Sequence, residues 1–146
     1  MVPETLNEDL FFNLDRANLL MRRHLLDVFG GHQISPEQWE IFQFVDNQDG
    51  VSQAKLTNMT MKDKGNISRI LARMIRNGWL CRVPEKPRGF VIRLTAKGRE
   101  IKNYLPNLME RQVSRILEPL GKDERSELLY CLKKLRILLG DDDVVS

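Results

Sequence analysis

The segment DKGNISRILARMIRNGWL, from Asp63 to Leu80, carries side chains of two kinds at helical spacing. Its apolar residues recur every three or four positions, as on the buried face of an amphipathic helix: Ile67, Ile70, Leu71, Met74 and Ile75. The remaining face carries only cationic and hydrogen-bonding side chains: Lys64, Asn66, Ser68, Arg69, Arg73 and Arg76. A solvated helix face normally mixes its charges, because like charges four residues apart repel. This face is therefore suited to binding a polyanion.

The positive charge of the chain is concentrated around this helix. The net charge is only +3, but the window from Ser52 to Arg93 contains ten basic and two acidic residues. The rest of the chain contains 13 basic and 18 acidic residues. A basic segment between net-acidic flanks is the electrostatic pattern of a nucleic-acid site.

Local signals place two short helices and a hairpin in this window. Ser52 is a suitable N-cap for a helix that ends near Met59, and Asp63 caps the basic helix, which Gly78 stops. Two short helices joined by a tight turn, with the second one basic, form a helix-turn-helix. The following segment LCRVPEKPRGFVIRL predicts two strands around a Pro/Gly-rich turn. A helix-turn-helix followed by a basic hairpin is a winged helix.

Longer helices are predicted on both sides of this unit. The first runs from about Glu4 to Phe29, a second opens at Ser35, and a long one, capped by Thr95, contains Pro106. The last runs from about Asp123 to Leu139. These flanking helices carry more apolar surface than one small winged helix can cover, so they pack either in a single intramolecular core or in a dimer interface. We favour the dimer, because oligomers are usually symmetric and a helix-turn-helix usually binds two half-sites.

The predicted fold is mainly α with a small β-hairpin wing. Residues 1–33 are expected to form an N-terminal dimerisation helix, residues 34–95 a winged helix-turn-helix domain, and residues 96–146 the C-terminal dimerisation helices. In a helix-turn-helix the second helix enters the major groove, where its N-terminal half meets the base edges.

The sequence resembles the MarR family of bacterial transcription regulators. The resemblance lies in ISPEQWEIFQFV, SQAKL, DKGNISRILARMIRNGWLCR and VIRLTAKGRE, whose order and spacing match the family from about Ile34 to Glu100. It implies a dimer joined by its terminal helices, a palindromic DNA site, and repression relieved by a small ligand or an oxidant. The wing departs from the family, because its tip PEKPRG lacks the usual Asp-x-Arg motif. The first helix also lacks the cysteine with which some members sense peroxides.

Each predicted contact residue has a chemical role. Arg69 can bind guanine bidentately, Asn66 and Ser68 can bind adenine or other base edges, and Gly65 allows the backbone to approach closely. Lys64, Arg73 and Arg76 suit phosphates, and the wing cations Arg88 and Lys86 suit the minor groove. The full set of predicted DNA-binding residues is Ser52, Gln53, Lys64, Gly65, Asn66, Ser68, Arg69, Arg73, Arg76, Lys86 and Arg88.

Other functional classes have less support. The sequence shows no nucleophile–base pair, phosphate loop or metal-ligand spacing, so we expect no enzyme activity, no metal and no cofactor. Two alternatives to the DNA-binding regulator are a winged-helix protein-interaction module and a thiol-based redox sensor that uses Cys81 or Cys131. Trp79 and Phe90 are expected to fill the core behind the wing rather than to stack on single strands. Without a membrane span or signal peptide, a cytoplasmic protein is expected.

Overall fold

The computed structural model describes residues 2–45, 49–142 and 144. They form six helices and one antiparallel hairpin, so the prediction of a mainly helical winged-helix fold is confirmed. The elements are α1 (Leu6–Gly30), α2 (Pro36–Phe44), α3 (Gln53–Thr60), α4 (Lys64–Arg76), β1 (Leu80–Pro84), β2 (Phe90–Leu94), α5 (Ala96–Leu117) and α6 (Lys122–Leu138). The chain divides into two compact units, Met1–Met109 and Glu110–Ser146, and the division falls within α5.

Side-chain caps fix where the four helices from α2 to α5 begin. Each cap oxygen accepts a hydrogen bond from the backbone N–H three residues further along, at 2.7–3.1 Å. The capping residues are Ser35, Ser52, Asp63 and Thr95. Such bonds satisfy backbone donors that have no partner within the helix. The predicted helix starts at these residues are therefore confirmed, and Gly78 ends the basic helix with a φ of +79°.

The hairpin is joined to the segment that precedes the helix-turn-helix. Val51 and Ile92 exchange two backbone hydrogen bonds, of 2.9 and 2.7 Å, which form an isolated antiparallel bridge to the wing. Gly50 has a φ of +77°, and a Cβ at this position would lie 2.9 Å from the carbonyl oxygen of Ile92. Glycine is required here because it has no Cβ and adopts positive φ without strain. This junction holds the base of the wing against the helix-turn-helix.

The core of the first unit lies under the apolar stripe of α4. Ile67, Leu71 and Met74 are fully buried, as the helical spacing predicts. Trp79 is also buried, and its ring packs against Phe42 with 5.8 Å between the ring centroids. This confirms the expected core role of Trp79.

The same prediction for Phe90 is wrong. Phe90 is 39% exposed, although it shares a strand face with the buried Ile92 and Leu94. The hairpin extends beyond the helices that cover its base, so the outer end of that face lies outside the core.

The N-terminus of α5 is fixed against the turn that follows α4. The Thr95 hydroxyl donates to the carbonyl oxygen of Gly78 at 2.5 Å, and its backbone N–H donates to Trp79 at 3.0 Å. A Cβ on Gly98 would lie 2.0 Å from the Trp79 carbonyl oxygen. The first turn of α5 thus approaches this backbone as closely as only glycine allows. As predicted, the long helix α5 contains Pro106 in its interior.

Two helices expose much of their apolar surface. Within the first unit, α1 buries only Leu25 and Phe29, near its C-terminal end. Its exposed large apolar residues are Leu6, Leu10, Phe11, Leu14, Leu19, Leu20 and Leu26. Within the second unit, α6 has no buried residue, and it exposes Leu128, Leu129, Tyr130, Ile137 and Leu138.

Among the residues that the structure describes, no helix has the length and apolar character needed to cross a membrane.

Candidate nucleic-acid interface

The outer face of α4 is accessible along its whole length. The side chains of Arg69, Arg73 and Arg76 are exposed, as are Lys64 and Gly65 in the first turn. The two neutral polar residues of this face, Asn66 and Ser68, are half-buried. No acidic residue interrupts the helix from Lys64 to Arg76. The arrangement presents three guanidinium groups, which bind phosphates or guanine edges through several N–H donors.

Part of this face forms one wall of an open groove of about 710 Å³. Four predicted contact residues line it at spacings of three and four positions: Asn66, Arg69, Arg73 and Arg76. The opposite wall is the N-terminal turn of α2, with Ser35, Glu37 and Gln38. The structure thus brings these four residues together as one stripe, and it adds a second wall that sequence reasoning did not anticipate.

Gln53 and Ser68 are also brought together, but they contact each other. The Gln53 amide Nε2 donates to the Ser68 hydroxyl oxygen at 2.7 Å. The bond connects the first turn of α3 to the middle of α4 and occupies one acceptor site of the hydroxyl. Both residues were predicted to contact DNA, and that role stays a prediction. The contact that the structure does show is one that holds the two helices together.

The first turn of α4 leaves room for a ligand. A Cβ on Gly65 would lie 3.4 Å from Asp63 Oδ1 and 3.8 Å from Arg69 Nη1, which are ordinary contacts. The Arg69 side chain therefore reaches back over the first turn, in the direction typical of long side chains on helices. This orientation places its guanidinium near the helix N-terminus, the end of a recognition helix that meets base edges. Ser52, at the start of α3, is exposed as well.

The wing tip is exposed from Glu85 to Gly89. The Glu85 N–H donates to the Gly89 carbonyl oxygen at 3.1 Å and closes the turn, in which Gly89 has a φ of +87°. Over the described residues, neither Lys86 nor Arg88 forms an ion pair. The two predicted minor-groove cations are therefore held by the backbone of the turn alone.

One wing residue was missed by sequence reasoning. The Arg82 guanidinium lies over the Phe90 ring, 5.3 Å from its centroid. The register pairs Arg82 with Ile92 and Pro84 with Phe90, so Arg82 and Phe90 are diagonal neighbours across the two strands. Diagonal neighbours are within reach of long and aromatic side chains. The register of the hairpin was the signal that could have revealed this contact.

The other candidate sites are metal sites and reactive cysteines. Among the described residues, no three His, Cys, Asp or Glu side chains come together as a metal site. Cys81 is half-buried in β1 and Cys131 is exposed on α6.

The helices α2, α3 and α4 followed by the hairpin define a winged helix-turn-helix protein with a basic recognition helix. A model of the MarR family matches residues 32–89, a segment that contains all three helices, β1 and the wing tip. This segment of the chain is therefore similar to the MarR family of winged helix-turn-helix proteins. A comparison with curated proteins gives no match.

Solved structures of MarR-family proteins share the fold over most of the chain. A MarR-family transcriptional regulator from Rhodococcus sp. RHA1 is 15% identical with a TM-score of 0.81, over 91% of this chain and 97% of its own. A MarR-family protein from Bacillus stearothermophilus is 22% identical with a TM-score of 0.78, over 95% and 99%. A mutant of MarR from E. coli, complexed with operator DNA, is 22% identical with a TM-score of 0.78, over 90% and 99%.

Proposed function

We propose that this protein is a transcriptional repressor that binds a palindromic operator in double-stranded DNA as a homodimer, and that a small ligand releases it. The observation that carries this proposal is the stripe of Asn66, Arg69, Arg73 and Arg76 on the exposed face of α4. These side chains combine base-reading donors with phosphate-binding cations on the helix that a winged helix-turn-helix inserts into the major groove. A structure of a MarR mutant from E. coli in complex with operator DNA supports DNA binding by this fold.

The proposed DNA contacts are of two kinds: some read the base sequence, and others position the protein on the duplex. Arg69 and Asn66 lie near the N-terminal end of α4 and read base edges. Arg73 and Arg76 lie one and two turns further along and bind phosphates, which set the register of the helix without reading sequence. Lys86 and Arg88 insert into the adjacent minor groove, where a narrow A·T tract attracts positive charge. Their exposure at the wing tip permits that contact.

The terminal helices form the dimer in this proposal. Phe11 is 70% exposed on α1 and Leu138 is 75% exposed on α6. Large apolar side chains exposed in such numbers mark interaction sites, since monomeric proteins rarely show extended apolar patches. Residues 1–33 and 96–146 therefore serve dimerisation, and residues 34–95 bind DNA. Two copies then present two recognition helices to two half-sites.

The remaining parts of the proposal follow from regulation by DNA binding. The protein acts in the cytoplasm, where bacterial DNA is accessible, and it catalyses no reaction and needs no metal or cofactor. Release by a small ligand requires that the ligand bind the DNA-free conformation better than the DNA-bound one.

Selection of duplexes from a random-sequence library tests the proposal. The selected DNA should contain an inverted repeat, with half-site centres about 10–10.5 base pairs apart or a multiple of that spacing. It should bind more tightly than a scrambled duplex of the same composition and than either single strand. Enrichment of no motif, together with equal binding of single strands and duplexes, would refute the proposal.

A further inference from the structure

The Arg82–Phe90 contact lies on the side of the hairpin that faces the helices. Side chains alternate between the two faces of a strand, so Leu80 and Arg82 share one face of β1. Their register partners on β2 are Leu94 and Ile92. Leu80, Ile92 and Leu94 are buried in the same core cluster as Leu71 of α4. Arg82 and Phe90 therefore continue the core-facing side of the hairpin outward, beyond the edge of the core.

A cation–π contact holds a guanidinium without using its hydrogen-bond donors. The guanidinium carbon of Arg82 lies over the Phe90 ring, 5.3 Å from its centroid, and this attraction to the ring uses none of the N–H groups. No carboxylate of the described residues forms an ion pair with Arg82. Arg22, by contrast, uses an N–H to bind Glu40 at 3.1 Å. Arg82 is thus oriented in advance, with its donors available to a ligand.

We propose that Arg82 binds the DNA backbone between the two grooves and that Phe90 positions it for this contact. The inference rests on the proposed function, in which α4 occupies the major groove and the wing tip the adjacent minor groove. One sugar-phosphate strand separates these grooves, and it must pass between α4 and the tip. Arg82 lies on the hairpin face turned toward that gap. A planar fork of N–H donors matches the paired oxygens of a phosphate.

The test compares variants on a duplex selected from a random library and on a scrambled duplex, at several salt concentrations. Arg82→Ala should weaken both duplexes evenly, by about tenfold per wing. It should also make the slope of log K against log salt shallower by about one unit per wing. Arg93→Ala is the matched control: it removes the same charge from the opposite face of β2, and it should change affinity by less than about twofold.

Substitutions of Phe90 separate positioning from charge. Phe90→Leu keeps an apolar strand residue but removes the ring, so affinity should fall about two- to fivefold per wing with an unchanged salt slope. Phe90→Tyr should retain the wild-type affinity. In the free protein, NMR should show ring-shifted Arg82 side-chain protons in wild type and Phe90→Tyr, and unshifted ones in Phe90→Leu. Melting curves of all variants verify that they are folded.

The outcomes distinguish this inference from the proposed function. If wild type binds no duplex, the proposed function itself is wrong. If wild type binds but Arg82→Ala keeps its salt slope or only matches Arg93→Ala, the phosphate contact of Arg82 is overturned. If Phe90→Leu and Phe90→Tyr bind equally well, the positioning role of Phe90 is overturned.

Discussion

The Gln53 amide donates a 2.7 Å hydrogen bond to the Ser68 hydroxyl and thereby joins the two helices of the helix-turn-helix. The bond is partly buried. If one partner is removed, water therefore replaces only part of the hydrogen bonding that the other partner loses. It connects α4 to α3, which packs into the core of the first unit through the buried Leu56.

Removing either partner of this bond should destabilise the protein by about 0.5–1.5 kcal/mol. Gln53→Ala and Ser68→Ala should also be non-additive, with the double variant less destabilised than the sum of the singles by at least about 0.5 kcal/mol. Urea denaturation measures all three. Gln43→Ala, on an exposed glutamine of α2, is the control and should have little effect. Strict additivity would show that the two side chains are not coupled in solution.

Substitution of Arg69 and of Arg88 by alanine should impair DNA binding in different ways. Arg69→Ala should cost about 1–3 kcal/mol of discrimination and relax the preference at one base pair in each half-site, because a bidentate base contact is lost. Arg88→Ala should weaken all duplexes more evenly and reduce the salt slope by about one unit per wing. Titrations of both variants on selected and scrambled duplexes provide the measurement. Equal weakening of both duplexes by Arg69→Ala would transfer the reading role to Asn66, Ser68 or DNA shape.

Gly98→Ala should destabilise the protein by about 1–3 kcal/mol, since the added methyl would lie 2.0 Å from the Trp79 carbonyl oxygen and force a backbone shift. Gly65→Ala is a matched control in the first turn of another helix. Its nearest neighbour would be at 3.4 Å, so it should stabilise the protein by up to about 1 kcal/mol. Thermal melting compares the two. If Gly98→Ala melted at the same temperature as wild type, the first turn of α5 would not pack as described.

Phe11→Lys should weaken a dimer that buries α1. Phe11 is 70% exposed in the single chain, and a substitution at an exposed position of a monomer changes stability by less than about 0.5 kcal/mol. In a dimer the loss of a buried ring should cost about 1.5–3 kcal/mol per protomer. Wild type should scatter light as about twice 17.0 kDa and melt at a temperature that rises with protein concentration. Asn7→Lys, also exposed on α1, tests the charge alone. A stable, well-folded wild-type monomer at micromolar concentration would contradict the dimer.

The features that the sequence predicted are local ones. The caps at Ser35 and Asp63 and the buried stripe of Ile67, Leu71 and Met74 depend on neighbours within one or two turns, so spacing alone reveals them. The hairpin followed from its turn residues in the same way.

The features that the sequence did not predict depend on how distant segments meet. Glu37 lines the groove opposite Arg73 because α2 packs beside α4, and no local pattern encodes that distance. Phe90 lies on the same strand face as Ile92 and Leu94, as the alternation predicted. Its predicted burial was wrong, because it lies past the edge of the core. Ser68 and Gln53 meet across 15 positions of sequence.

The salt dependence of duplex binding tests the central claim most directly. If each protomer places three to five cations on phosphates, a dimer neutralises roughly 6–10 phosphates, and log K should fall against log salt with a slope of about −5 to −9. Wild-type protein, titrated with a selected duplex between low and physiological salt, gives this slope. A steep slope with clear preference for the duplex over single strands is the predicted result. A slope near zero, or tighter binding of single strands, would contradict the assignment of α4 and the wing as a double-stranded DNA interface.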